Sequence, residues 1–157
     1  MKHYEHTQVG YVIITVMTAA LILIGINLVN AGMNWTAIVV SIVMGVALIL
    51  FSSLTVVIWE DELEIRFGPG LIRRKFKLRD IELCQVVKNH WYYGWGIHST
   101  PHGCLYNVSG FDAVEIKLKT GTKYRIGTDA PRELEAALQQ ILPTASRQAT
   151  AKFQGQD

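Results

Sequence analysis

Charge is missing from the first third of this 157-residue chain. No Asp, Glu, Lys or Arg occurs between His6 and Trp59, and of 15 basic and 13 acidic residues only Lys2 and Glu5 come earlier. An ordinary globular domain carries charge at about one residue in four, so a single soluble domain is excluded. Cysteine is scarce too. Two residues cannot staple a disulfide-rich secreted scaffold. An apolar share of 50% excludes a fully disordered chain, and the 13 glycines are too few for a collagenous one.

What the first third holds instead is two apolar runs. Residues 9–29 (VGYVIITVMTAALILIGINLV) carry no formal charge. At ~1.5 Å per residue they cover the ~30 Å hydrocarbon layer of a bilayer. Residues 35–53 form a second run, followed by a β-branched LTVVIW segment that continues it too far to be all helix. The polar link at 30–34 is short enough only for antiparallel neighbours, so the runs read as a transmembrane helical hairpin. A cleaved signal peptide fits less well, because the apolar run exceeds the ~7–15 residues of a signal core and Lys2 stands beside Glu5. Basic residues follow the second run (Arg66, Arg73, Arg74, Lys75, Lys77, Arg79) and none lies in the link. The expectation is a multi-pass protein of the cytoplasmic (inner) membrane with both termini inside. Ala37, Ser41 and Gly45 recur every four residues as a small-residue stripe for close helix packing, against the first run or a second copy in a homo-oligomer. Asn27 lies near a helix end, where a polar side chain reads as interfacial.

After Trp59 the period becomes two. Leu63, Ile65 and Phe67 alternate with charge up to Gly68-Pro69-Gly70, and Ile72, Phe76 and Leu78 alternate with Arg73, Lys75, Lys77 and Arg79, which predicts a hairpin. A second hairpin turns at Thr120-Gly121-Thr122. Shorter apolar runs at 83–87 and 104–108 read as strands, separated by the loop NHWYYGWGIHSTPHG. Thr128 and Asp129 offer N-cap oxygens for a helix in which Pro131 and Glu133 suit the first turn. Leu134, Ala137, Leu138 and Ile141 form its apolar stripe, and Pro143 ends it. The chain thus divides into a cytoplasmic N-terminus (1–8), a transmembrane hairpin (9–58), a β-rich cytoplasmic domain (59–142) and a tail read as disordered (143–157).

The segments TVVIWEDELEIRFG, FKLRDIELCQV, WGI, LYNVSG and AVEIKLKTGTKYRIGTDAPRELEAAL together resemble the bacterial pleckstrin-homology-like (PH-like) domains that follow a pair of transmembrane helices in small membrane proteins. The resemblance covers residues 54–142. It implies an α+β domain, a bent antiparallel sandwich of six or seven strands with a C-terminal helix over one corner, and no internal catalytic site.

Two constellations are candidates for function. On a strand over 71–79, Arg73, Lys75, Lys77 and Arg79 would form one row of cations, with Lys117, Lys119, Lys123 and Arg125 as a second row on the other hairpin. Such rows could contact anionic lipid, each cation contributing ~1 kcal/mol. Equally, they could be solvated faces neutralised by Glu60, Asp61, Glu62, Glu64 and Asp80. The Gly68-Pro69-Gly70 turn is too short to cradle a phosphoinositide headgroup. Trp91, Tyr92, Tyr93 and Trp95 suit an interfacial anchor or a protein-binding hot spot, unless part of them completes the core. His98, His102 and Cys104 do not make up a complete metal set, so no metal or cofactor is expected. Asn107-Val108-Ser109 is a glycosylation sequon on the cytoplasmic side. A net charge of +2 on a membrane-tethered chain argues against nucleic acid. The expected function is a non-enzymatic membrane-anchored adaptor with a protein partner. Direct anionic-lipid sensing is the alternative, and a membrane enzyme, suggested only by His90, His98 and His102, is the third reading.

Overall fold

The computed structural model describes residues 2–142, an α+β chain in which a pair of apolar helices lies between the first two strands of one sheet, followed by a second sheet and a C-terminal helix. Strand β1 (Lys2–Val9) leads into helix α1 (Tyr11–Ala31), which turns back into α2 (Trp35–Phe51). Strands β2 (Ser53–Trp59), β3 (Glu62–Phe67) and β4 (Ile72–Lys77) complete a first antiparallel sheet in the order β1-β2-β3-β4. The second sheet contains β5 (Ile81–Lys88), β6 (Gly96–Thr100), β7 (Gly103–Asn107), β8 (Asp112–Leu118) and β9 (Lys123–Gly127), in the order β5-β8-β9-β7-β6. Its pairs are antiparallel except β7 with β9, which run parallel. Helix α3 (Pro131–Ile141) packs on β5 and β8.

The sheet claims more of the chain than its sequence suggests. Residues 2–9, expected as a free N-terminus, pair with β2 from Lys2↔Trp59 to Val9↔Ser53. The hairpin expected over 9–58 therefore holds two helices only as far as Phe51, and the β-branched Ser53–Trp59 belongs to the sheet. β1 escapes a periodicity reading because its inward side chains, Tyr4, His6 and Gln8, are polar or amphipathic. Gln8 is buried and its Nε2 donates to the Ser109 carbonyl at 2.9 Å. Among the described residues there are nine strands: the seven after Trp59, β3 to β9, agree with the six or seven expected of that domain, Gly96–Thr100 forming one inside the expected loop, and β1 and β2 add two more from the chain before it. The helix cap also differs. Ala130 occupies the N-cap, Thr128 Oγ1 accepts from the Ala130 amide at 3.1 Å, and Asp129 instead pairs with His6 Nε2 at 2.5 Å. The tail reading at 143–157 lies outside the described residues.

The core forms between the sheets because alternate residues of each strand are apolar. Leu54, Val56 and Ile58 of β2 and Leu63, Ile65 and Phe67 of β3 meet Val114, Ile116 and Ile126, and Leu134, Leu138 and Leu142 close the open end. By contrast, no side chain of α1 or α2 is buried. α1 is one helix long and apolar enough to cross a membrane, with mean hydropathy 2.6 over its window, whereas α2 has 17 residues. The Asn34 side chain caps α2 by accepting from the Thr36 amide at 2.9 Å.

Backbone contacts lock the helix ends to the sheet. The Gly10 amide donates to the Ser52 carbonyl at 2.8 Å, bridging the two helix ends. The Gly68 amide donates to the Ser53 carbonyl at 2.9 Å, bringing the β3–β4 turn against the end of α2. Gly68 has φ +49°, and a Cβ there would run into the Ile49 and Leu50 carbonyl oxygens. Gly121, at φ +86°, has open space around the same position. Gly68→Ala should therefore cost at least about 2 kcal/mol from left-handed strain plus backbone overlap, whereas Gly121→Ala should cost about 1 kcal/mol from strain alone. Denaturant unfolding of both variants in detergent checks the order. Equal losses would mean that the turn does not seat against α2.

Candidate functional site

β4 places its side chains alternately, so Arg73, Lys75 and Lys77 share the outer face of the first sheet while Phe76 enters the core. Arg79 lies beyond the strand, in the 3₁₀ turn Leu78–Asp80, where it lines a polar hollow together with Lys77, Asp61 and Glu62. Register places Arg73 opposite Arg66, Lys75 opposite Glu64 and Lys77 opposite Glu62. Lys75 Nζ pairs with Glu62 at 2.9 Å and Arg66 with the buried Glu64 at 2.7 Å. The hydrogen bond from Arg66 holds the Glu64 carboxyl below its ordinary value, against the opposing effect of burial. On this face, then, Lys75 is ion-paired, Arg73 donates to the Gly70 carbonyl, and Lys77 lies beside Asp61 and Glu62, so the cations are interleaved with carboxylates and do not form a bare strip.

The row runs away from the helix ends. β3 and β2 pair from Phe67↔Leu54 beside the helices to Leu63↔Ile58 at the far end. Antiparallel β4 therefore carries Arg73 near the helices, with Lys77 ~13 Å further along the strand at ~3.3 Å per residue.

The second set divides differently. Lys117 pairs with Glu82 at 3.0 Å, and Lys119 is exposed at the far end, where its amide meets the Asp80 carbonyl. Lys123 pairs with Glu115 at 3.1 Å. Arg125, expected on an open outer face, is buried: its Nε donates to Glu115 at 2.8 Å and its Nη1 to Asn89 Oδ1 at 3.2 Å. Burial opposes ionisation of Glu115, but the hydrogen bonds from Arg125 and Lys123 outweigh it and hold the carboxyl below its ordinary value. Asn89 opens the aromatic loop, and its amide donates to the Phe111 carbonyl at 2.6 Å. Arg125 therefore fixes the base of that loop.

None of the loop aromatics completes the core. Trp91, Tyr92 and Tyr93 form a 3₁₀ turn, with Trp91 77% and Tyr92 62% exposed, and Trp95 is 37% exposed. Two histidines join them, which their spacing does not announce: His90 stacks on Tyr92 at 5.1 Å between centroids, and Tyr93 meets His102 edge-on at 6.4 Å. His98 folds back so that its Nε2 lies 2.6 Å from the Trp95 carbonyl oxygen.

Beside this loop an apolar groove of about 410 Å³ separates β6 from the first turns of α1, lined chiefly by Val12, Val16, Met17, Phe51, Trp95 and Ile97. No sequence pattern announces it, since Val12 and Val16 are ordinary members of an apolar run. The small stripe lies on the half-exposed side of α2, yet a Cβ at Gly45 would meet nothing within 4 Å, so no helix closely approaches there. His98 and Cys104 point to opposite faces, because His98 pairs with Leu105 and Ser99 with Cys104. Among the described residues no three His, Cys, Asp or Glu side chains stand together as a metal site. Asn107 of the sequon is buried and holds its own turn through the Ser109 amide and the Gly110 carbonyl.

Comparison with protein-family models, curated proteins and solved structures finds no match.

Arg125→Met removes the main partner of the buried Glu115 while Lys123 stays, and should cost about 3 kcal/mol. The sign with pH follows from the lowered carboxyl. In the parent chain its contribution is complete above about pH 4.5 and is lost as pH falls through the lower, folded value. In the variant burial is less opposed, so acid unfolding should begin at higher pH. Circular dichroism against pH measures both, and an unchanged acid transition would show that Arg125 does not hold Glu115 ionised.

Proposed function

We propose that this protein is a non-enzymatic membrane-anchored adaptor: α1 and α2 cross the inner membrane as a hairpin, and a PH-like cytoplasmic domain binds a protein partner through the aromatic surface around Trp91 and Tyr92. The observation that carries the anchor is the pairing of β1 with β2 across the helices, which brings both helix ends to one side of one sheet. The hairpin then behaves as a long loop of that sheet. Its surface supports immersion in lipid, because large apolar side chains such as Ile22, Leu23, Val39, Ile42 and Ile49 stay more than half exposed, and full burial of such a side chain gains ~1.5–3 kcal/mol. α1 is ~31 Å long at 1.5 Å per residue, and α2, at ~26 Å, spans the same layer with modest local thinning. Tyr11 and Trp35 lie at opposite ends of the hairpin, where interfacial aromatics belong. Arg66 and Arg73 lie near its base, on the side that the positive-inside rule assigns to the cytoplasm.

Support for the PH-like reading is the order of elements: a four-stranded antiparallel meander, the antiparallel β5-β8-β9 set, and a closing helix. The β6–β7 hairpin, set parallel against β9, is an addition to that plan. The partner surface is read from chemistry. Exposed Trp and Tyr rings on a turn pinned by Asn89 and Arg125 offer large contact area with little motion to lose, and β6 beside them ends its sheet. Direct binding of anionic lipid by the strand faces is the weaker reading, because those cations are largely paired and lead away from the helix ends.

Two measurements test this reading. Met33→Cys should react with a membrane-impermeant maleimide on intact cells, and Lys119→Cys only after lysis; labelling of both from outside would contradict the hairpin. A photo-crosslinking residue at Trp91 or Tyr92 in native membranes should give one discrete adduct, absent when it is placed at Lys119. Adducts at Lys119 alone would move the partner surface to the charged end.

A further inference from the structure

We infer that the groove between α1 and β6 holds an acyl chain of a bilayer lipid, so that the domain grips the membrane at a second point beside its helical anchor. The inference rests on the proposed bilayer position of α1.

One wall of the groove is the first two turns of α1, from Val12 to Met17, and the other is the start of β6 with Trp95 and Ile97; Phe51, the last residue of α2, lies between them. Because α1 begins at Tyr11, these turns lie where a spanning helix leaves the headgroups for the hydrocarbon. A groove at that depth with an open side meets lipid before any other solute. Its lining agrees with that occupant. Val12 and Val16 are exposed on the helix, and a second apolar hollow of about 290 Å³ shares them with Tyr11 and Thr15, so the track continues around α1. Of the two hydroxyls along it, Thr15 Oγ1 already donates to the Tyr11 carbonyl at 2.8 Å, and the other is the Tyr11 phenol at the start of the helix. In the larger groove the polar side chains stand at β6: the Trp95 indole, partly withdrawn from solvent, and the His98 ring held against the Trp95 carbonyl. An apolar slot with heteroatom rings at one wall suits an acyl chain that enters from the bilayer and leaves its headgroup near the rings. At about 410 Å³ the slot lies within the ~300–1,000 Å³ of small-ligand sites.

The test uses the full-length protein in bilayer nanodiscs made with phosphatidylcholine brominated near the headgroup end of its acyl chains. One sample keeps Trp95 as the single tryptophan (Trp35, Trp59 and Trp91 replaced by Phe), and another keeps only Trp35. Trp95 emission should fall by about half relative to unbrominated lipid, as for an interfacial ring in contact with acyl carbon. Val16→Phe, a change on an exposed helix face, should fill the slot and restore most of that emission, and Ile97→Phe should do the same from the opposite wall. If Trp95 is unquenched while Trp35 is quenched, the groove is empty and the anchor stands. Quenching of Trp95 that both fillers leave unchanged places the ring in bulk lipid and overturns the slot. If neither tryptophan is quenched, the bilayer position of α1 fails and the inference fails with it.

Discussion

The antiparallel pairing of β1 with β2 is the constraint on which the other features rest. Its register closes the chain on both sides of the helical pair, from Val9↔Ser53 outward, and the Gly10–Ser52 hydrogen bond ties the helix ends directly. A free segment before α1 would leave the helices attached to the domain at one flexible point. Two paired strands attach them at two, and the Gly68 turn seated under α2 adds a third contact. The helical pair and the first sheet thus share one hydrogen-bonded framework, and the orientation of the sheet follows that of the helices.

The placement of charge and aromatic surface follows from that framework. Strands leaving the helix ends carry their side chains progressively further away, so β4 presents Arg73 at the base and Lys77 well beyond it. The far end of the domain collects carboxylates together with lysines, among them Glu62, Asp80, Glu82 and Lys117, and much of that charge is paired. At the base lie the apolar Leu71, the groove wall of Trp95 and Ile97, and the turn held by Asn107. In the proposed arrangement the domain meets the bilayer through apolar and aromatic groups and offers its mixed charge to the cytoplasm.

Sequence patterns reported well wherever one physical demand acted on a segment. Apolar runs without charge marked both helices to within two residues at their starts, and alternation marked β3, β4, β8 and β9. They failed where two demands overlapped. β1 pairs through its backbone but turns Tyr4, His6 and Gln8 inward, so no apolar alternation betrays it. Arg125 sits in perfect alternation with Lys123, yet the loop that covers it comes from residues 36 positions earlier through Asn89, a contact that no local pattern encodes. Arg79 lies two residues past the end of β4, in a 3₁₀ turn, so strand parity does not place its side chain even though it stands near Lys77. The aromatic loop stood out in composition, but whether its rings were core or surface was not legible there; that, its histidine partners and the neighbouring groove depend on the fold.

For the proposed membrane hairpin, the depth of the domain in a bilayer is the quantity that decides the arrangement, read by power-saturation electron paramagnetic resonance of nitroxide labels at Leu71→Cys and Thr120→Cys in the full-length, reconstituted protein. An upright domain fixed by β1–β2 pairing places the Leu71 label at the headgroup level, accessible to oxygen, and the Thr120 label fully in water, accessible to a nickel chelate. Equal depths for the two labels, or a deeper Thr120, would contradict it, because the sheet would then lie along the membrane and not extend from it.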